Sequence, residues 1–287
     1  MLIDFIGIPI DEVVPLHVER FIQTKVESGL SGKTVRDLLL VLQGIMSLAL
    51  DNDLIDRSPI RNRHKPTVDR HEKPIWSPAQ LLSILSAAPI GLRAFFDCVA
   101  LTGTRLGEVL ALKWKHVDLE RRLLRIEHSL WRGQLLSPKT AASTRGIPLG
   151  CALSETLRNH RENSLHQGPD DFVFCKKDGS ALDPDVLRKD ALYPILDRLG
   201  IPRKKGASGF DTFRHSAASI VNDRTGNLKL TQKFLGHSTI KMTADIYTHT
   251  SAEAERDAAI ALERAIYGDL FPVVPNIENR NNSAALN

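Results

Sequence analysis

At 287 residues the chain has room for two domains, or for one large domain with an appendage, and its 42 % hydrophobic and 25 % charged content is that of a folded protein with a real core. A net charge of +4 leans towards a polyanionic partner without specifying one. The scattered Cys98, Cys151 and Cys175 share no metal-ligand spacing and suggest reduced thiols, no apolar run reaches the roughly 20 residues of a membrane helix, and the start MLIDFIGIPIDE carries acidic residues where a secretory signal has basic ones, so the expected setting is soluble and cytoplasmic.

In chain order, residues 11–28 and 33–52 have the apolar spacing of two amphipathic helices. In the second, Val35, Leu38, Leu39, Leu42, Ile45, Met46 and Ala49 recur at helical intervals, with Ser31 as N-cap and Gly29 breaking the chain before it. Two helices alone make a poor core, so this piece is expected to dock on the rest or to be the remainder of a larger bundle. Residues 56–76 scatter Pro59, Pro66 and Pro74 among charges with little periodicity, which is a linker pattern. The expected division is a partial helical domain over 1–56, a basic linker over 57–76, a main domain over 77–270 and a flexible tail over 271–287.

Ser77-Pro78 opens the main domain with a cap followed by proline in the first turn. The pattern then predicts helices over 78–87, 91–102, 105–114, 152–163, 184–199, 211–224, 228–236, 239–246 and 251–267. Between 121 and 149 the texture changes: LLRIEHSL and GIPL are short β-favouring runs, as in a small antiparallel sheet. Residues 171–174 form another short apolar stretch whose type stays open. The fold class is therefore mainly α with a small antiparallel β-sheet (α+β), behind a short helical N-terminal domain. Basic residues gather over 57–73, 121–145 and 203–205, where they can neutralise phosphates or simply form solvated faces.

The segments richest in chemistry are TGTRLGEVLALKW (102–114), SPKTAASTRGIPL (137–149), DTFRHSAAS (211–219) and LGHSTIKMTADIYTH (235–249). They present Arg105, Lys139, Arg214, His237 and Tyr247 in that order. Taken singly, each is an ordinary residue: a surface arginine, a solvated loop lysine, a polar residue at a helix end, a half-buried aromatic. Their order and contexts carry the signal. Thr102, Gly103, Arg105, Glu108, Leu112, Trp114 and Asp118 match TGxRxxEhhxLxWxxhD, and Leu235, Gly236, His237, Ile240, Thr243 and Tyr247 match LGHxxhxxTxxxY. Over nearly all of 77–268 the chain resembles the catalytic domain of the tyrosine recombinases, the phage integrase family.

The resemblance implies a site-specific DNA recombinase that cleaves and rejoins strands through a 3′-phosphotyrosyl intermediate. It gives Tyr247 the role of nucleophile, Arg105 and Arg214 that of a clamp on the non-bridging oxygens, His237 a hydrogen bond to the same phosphate, and Lys139 that of general acid. These are chemically apt assignments, since a paired fork donor suits a phosphate and a phenol of pKa about 10 needs nearby cations to ionise. Glu108, one turn beyond Arg105, reads as an orienting carboxylate. The family implies no cofactor and no metal, and the sequence holds no P-loop, no metal-ligand cluster and no Gly-x-Ser-x-Gly. It also implies double-stranded DNA with inverted half-sites as partner, a homo-tetramer on that DNA, accessory bending or directionality proteins, no membrane, and a bacterial or phage-like, nucleoid-associated setting. The alanine-rich 251–267 is expected to pack either within its own chain or on a neighbouring subunit.

Two positions depart from the family pattern. Asp211 stands three residues before Arg214, where the family usually has a histidine that receives the tyrosine proton or holds the phosphate. Residues 1–56 match only the closing part of a core-binding domain, so the chain is either naturally short or begins downstream of its true start. These departures keep a second reading open, a DNA-binding remnant without catalysis; a type IB topoisomerase is a third.

Overall fold

The computed structural model describes residues 3–67, 73–137, 144–203 and 209–244. The chain divides into two compact units, Met1–Glu72 and Lys73–Asn287. No helix among the described residues is long and apolar enough to cross a membrane.

In the first unit a 3₁₀ turn at Ile10–Glu12 precedes α1 (Pro15–Glu27) and α2 (Gly32–Asp51). The first helix starts later than its apolar spacing predicts because Pro15 holds Val14 extended, at φ −107° and ψ 162°. The Ser31 side chain accepts the Thr34 N–H at 3.2 Å and so caps α2. Val18 and Phe21 of α1 meet Leu38, Leu39, Leu42 and Met46 of α2 in a small core, against which Phe5, Ile10, Ile55 and Ile60 pack. Arg63 donates to Glu19 at 2.6 Å, tying the 3₁₀ turn Asn62–His64 to α1.

The second unit opens with α3 (Pro78–Ala87), capped by Ser77, whose Oγ accepts the Gln80 N–H while the Gln80 side chain accepts the Ser77 N–H. Next come α4 (Arg93–Thr102), almost wholly buried, and α5 (Leu106–Leu110). A three-stranded antiparallel sheet follows in the order β1 (Val117–Asp118), β2 (Leu123–Ile126), β5 (Arg145–Pro148), with Leu124 opposite Ile147. Between β2 and β5 lies a separate hairpin of β3 (Ser129–Trp131) and β4 (Gln134–Leu136). The described helices then run α6 (Cys151–Glu162), α7 (Pro184–Val186), a π-helical stretch (Leu187–Leu192), α8 (Tyr193–Arg198), α9 (Asp211–Thr225), α10 (Leu228–Leu235) and α11 (Ile240–Ala244).

Three differences from the predicted elements have physical causes. The helix predicted over 105–114 stops at Leu110 because the next residues turn to pair with 171–173. There, Val173 N–H donates to the Leu112 carbonyl at 2.8 Å, Trp114 N–H donates to that of Asp171 at 3.1 Å, and Lys113 bridges Phe172. Residues 171–174 therefore form no regular strand; they are bends around an isolated bridge at Phe172. The helix predicted over 184–199 widens to π geometry just before Pro194, whose ring lacks an N–H and would crowd the carbonyl four residues back in a regular α-helix. The run LLRIEHSL is two strands, since the chain leaves one sheet after Ile126 and enters the hairpin at Ser129.

An aromatic core holds these elements together. Phe95 packs edge-on against Phe96, Phe174 and Phe210, while Trp76 meets Phe213 at 4.8 Å between centroids. Phe95, Phe96 and Phe213 are at most 1 % exposed, and each such burial stabilises by about 2 kcal/mol. Trp76 N–H also donates to Ser216 Oγ at 2.7 Å, so α9 is fixed at two successive turns.

Candidate active site

The aromatic core decides where α9 presents its first turns. Phe213 is directed into that core, and Arg214, about 100° further round the helix, leaves it in another direction. The Arg214 side chain is buried, yet it meets main chain rather than an acid. Nη1 donates to the Gly103 carbonyl at 2.8 Å and Nη2 to the Leu235 carbonyl at 2.9 Å. These acceptors lie at the C-terminal ends of α4 and α10, where carbonyls lack helical partners and carry partial negative charge. One planar fork thus joins the TGTR and LGH segments. Burial first, and then repulsion from Arg105, pull the Arg214 pKa down to about 9, which leaves the group charged at neutral pH. Gly103 makes the approach possible. It adopts φ +59°, and a Cβ there would stand 3.0 Å from Leu235 Cδ2.

Arg105 sits two residues on, at the N-cap of α5. Its backbone N–H donates to Glu108 Oε2 at 3.1 Å and its Nη1 donates to Oε1 at 2.9 Å. Glu108 Oε2 also accepts from Arg145 Nη2 at 2.9 Å, so one buried carboxylate serves two arginines. Burial would raise the Glu108 pKa, but the hydrogen bond and charge of Arg145, with those of Arg105, more than offset this and hold it below the usual range. The Arg105 side chain is 41 % exposed, so its fork is open to a ligand.

His237 is held from both sides of its backbone. Its N–H donates to the Gln232 carbonyl at 3.1 Å, and Gln232 Nε2 donates to the His237 carbonyl at 3.0 Å. In its side chain Nδ1 pairs with Thr243 Oγ1 at 2.9 Å. Burial, then the charges of Arg214 and Arg105, push the imidazole pKa down to about 4, so it is neutral at pH 7. Arg105, Arg214 and His237 therefore share one electrostatic neighbourhood, which Lys73 also reaches.

The remaining predicted residues fare differently. Asp211 opens α9 with an exposed carboxylate, where the helix dipole favours it, and its charge supports Arg214. His215 is partly buried, and burial followed by the charge of Lys73 pushes its pKa down to about 4. Lys139 and Tyr247 lie outside the described residues, as do the tail 271–287 and the predicted helix 251–267. Sequence reading missed the part played by Arg145, which had counted only as one member of a basic cluster, and the Thr243 contact with His237. Nothing local to Arg145 marks it; it meets Glu108 through the β5 register.

One group among the described residues has the spacing of metal ligands: His116, Glu127 and His128, whose ligand atoms lie within 4.8 Å of one another. They are not neighbours in any sequence motif. However, Lys113 N–H donates to His116 Nδ1 at 3.2 Å, so the neutral ring carries its proton on Nε2, the atom 3.5 Å from Glu127 Oε2. A metal ligand needs a bare nitrogen there, with the proton on the other one. The group is a histidine–carboxylate pair with a second histidine stacked on it.

A family model for the phage integrase family matches residues 78–254, more than half of the chain. The chain belongs to the phage integrase family. These tyrosine recombinases are DNA strand transferases, and site-specific recombination of DNA is the activity of this member. A tyrosine recombinase XerC-like protein of Caldanaerobacter subterraneus is 27 % identical, over 92 % of this chain and 73 % of its own length. The ICEBs1 integrase of Bacillus subtilis is 25 % identical, over 90 % of this chain and 73 % of its own. The fold is that of the Tn1549 transposon integrase solved with a circular intermediate DNA, at a TM-score of 0.74 and 23 % identity over 88 % of this chain and 87 % of that one. It is also that of the XerH recombinase bound to its difH substrate, at a TM-score of 0.63 and 23 % identity over 88 % and 72 %.

Proposed function

We propose that Tyr247 is the nucleophile of strand cleavage and that Arg105, Arg214 and His237 hold the scissile phosphate of a double-stranded DNA site. The phenol oxygen bonds to phosphorus as the P–O5′ bond breaks, giving a 3′-phosphotyrosyl ester and a free 5′-hydroxyl. Lys139 gives its proton to the leaving 5′ oxygen, and Asp211 takes the proton of the phenol in place of the family's usual histidine. Attack by the 5′-hydroxyl of a partner strand reverses each step and reseals the backbone. One phosphate ester is exchanged for another, so no outside energy source is required. Two inverted half-sites bind a pair of subunits, and four subunits exchange strands between two sites, with accessory DNA-bending proteins setting direction.

The single observation that carries this reading is the fork of Arg214 joining the TGTR and LGH segments. It gathers Arg105 and a neutral His237 around a permanent charge. If Thr243 donates its hydroxyl hydrogen to Nδ1, the imidazole keeps its proton on Nε2, free to donate to a phosphate oxygen. Two arginines and a neutral N–H donor stabilise the added negative charge of a phosphorane more than that of the ground-state diester, which is what catalysis requires.

The test uses a nicked half-site from which the released strand end diffuses away. Wild-type protein forms a denaturation-resistant adduct with it, and Tyr247→Phe forms none. Retardation of the DNA without any adduct would make the chain a binding remnant, and relaxation of plasmid lacking a site would make it a topoisomerase.

A further inference from the structure

We propose that Arg145 is a positioning residue for strand cleavage: its buried guanidinium ties the Glu108 carboxylate to the turn before His237 and so fixes Arg105 relative to the imidazole. The inference rests on the recombinase reading and adds a residue to it. Arg145 Nη2 donates to Glu108 Oε2 at 2.9 Å, and Arg145 Nε donates to the Phe234 carbonyl at 3.3 Å. The first bond reaches the carboxylate that also holds the Arg105 backbone and guanidinium. The second reaches the last turn of α10, whose next residues are Leu235, Gly236 and His237.

Three features separate Arg145 from a phosphate ligand and from a surface ion pair. Its side chain is 7 % exposed, with Glu108 at 5 %, so the guanidinium is committed to protein acceptors. Gly236 packs over it: a Cβ at that position would lie 2.8 Å from Arg145 Cδ and Nη1, so the bare glycine lets the guanidinium lie beneath the turn. Its backbone is fixed by the sheet, where Arg145 pairs with Ile126 at the start of β5. An ammonium cannot replace this group, because a single nitrogen does not span a carboxylate on α5 and a carbonyl on α10 as a rigid fork does.

The test separates positioning from bracing by measuring half-site affinity, single-turnover adduct formation and melting temperature on the full chain. Arg145→Lys keeps the charge and loses the fork. It is expected to bind the half-site within about 3-fold of wild type while the cleavage rate falls about 100-fold, the scale of an ångström-sized misplacement. Glu108→Gln should show the same split, and the double variant should be no slower than the slower single one, because both break a single linkage. Arg145→Lys cleaving at the wild-type rate overturns the proposal. So does a rate loss matched by an equal loss of affinity, or a variant that no longer melts cooperatively, since each makes Arg145 a residue of folding alone. Absence of adduct from wild-type protein would strike the recombinase reading instead.

Discussion

On the α9 side of the site, Arg214 is 4 % exposed and donates to main-chain carbonyls. On the α5 side, Arg105 has a side chain 41 % exposed and donates to a carboxylate. The first cation is a structural member: its hydrogen bonds run to carbonyl dipoles, while the charges of Glu108 and Asp211 also favour it. The second is neutralised in part by Glu108, which Arg145 shares, and is open to solvent on its other side. The two cations thus differ in setting, one buried against main chain and the other half-exposed in an ion pair. Function and stability are coupled tightly on one side and loosely on the other.

Replacing each arginine by methionine should expose this difference most sharply. Both Arg214→Met and Arg105→Met should lose about 10³-fold or more in adduct formation, as arginines do in phosphoryl transfer. Only Arg214→Met should also lose about 3 kcal/mol in urea unfolding, because two buried carbonyls are left without donors. Arg105→Met should cost under about 1 kcal/mol, as expected of a half-exposed ion pair. Equal stability losses would erase the distinction.

Acid should weaken the α9–α10 side next. The folded-state pKa of His237 is about 4, below the ordinary 6.5, so the native state disfavours the protonated ring. Its contribution is complete above about pH 6.5 and is lost as pH falls towards 4, amounting to about 3 kcal/mol at most. Urea midpoints measured across that window should fall with pH, and His237→Gln should flatten the slope. An unchanged slope would assign the acid sensitivity to other groups, such as His215 with its similarly lowered pKa. The smallest effect belongs outside the site. Ser77→Ala removes the cap of α3 and should cost about 1 kcal/mol in unfolding while adduct formation stays at the wild-type rate.

Much of this was legible before any coordinates. Helix starts at Ser31 and Ser77 follow from cap chemistry, and the two motif segments supplied Arg105 and His237. What escaped depends on partners distant in sequence. The last turns predicted for α5 are surrendered to Val173 and Asp171, which local propensity cannot anticipate. The β3–β4 hairpin turns at Arg132 and Gly133 with φ of +49° and +76°, the geometry that Asn-Gly usually advertises and Arg-Gly does not. Arg145 shows the same limit within the site, because its meaning comes from a strand register and a bare glycine on another helix end.

The main-chain anchorage of Arg214 has an evolutionary corollary. A carbonyl is supplied by every amino acid, so exchanging side chains near the ends of α4 and α10 leaves these two acceptors in place as long as the helices end where they do. Drift to about a quarter identity, the distance separating this chain from relatives such as the Bacillus integrase, is the kind of divergence such an attachment can survive. An arginine held by an acidic side chain has no such insurance, since one codon change removes its counter-ion.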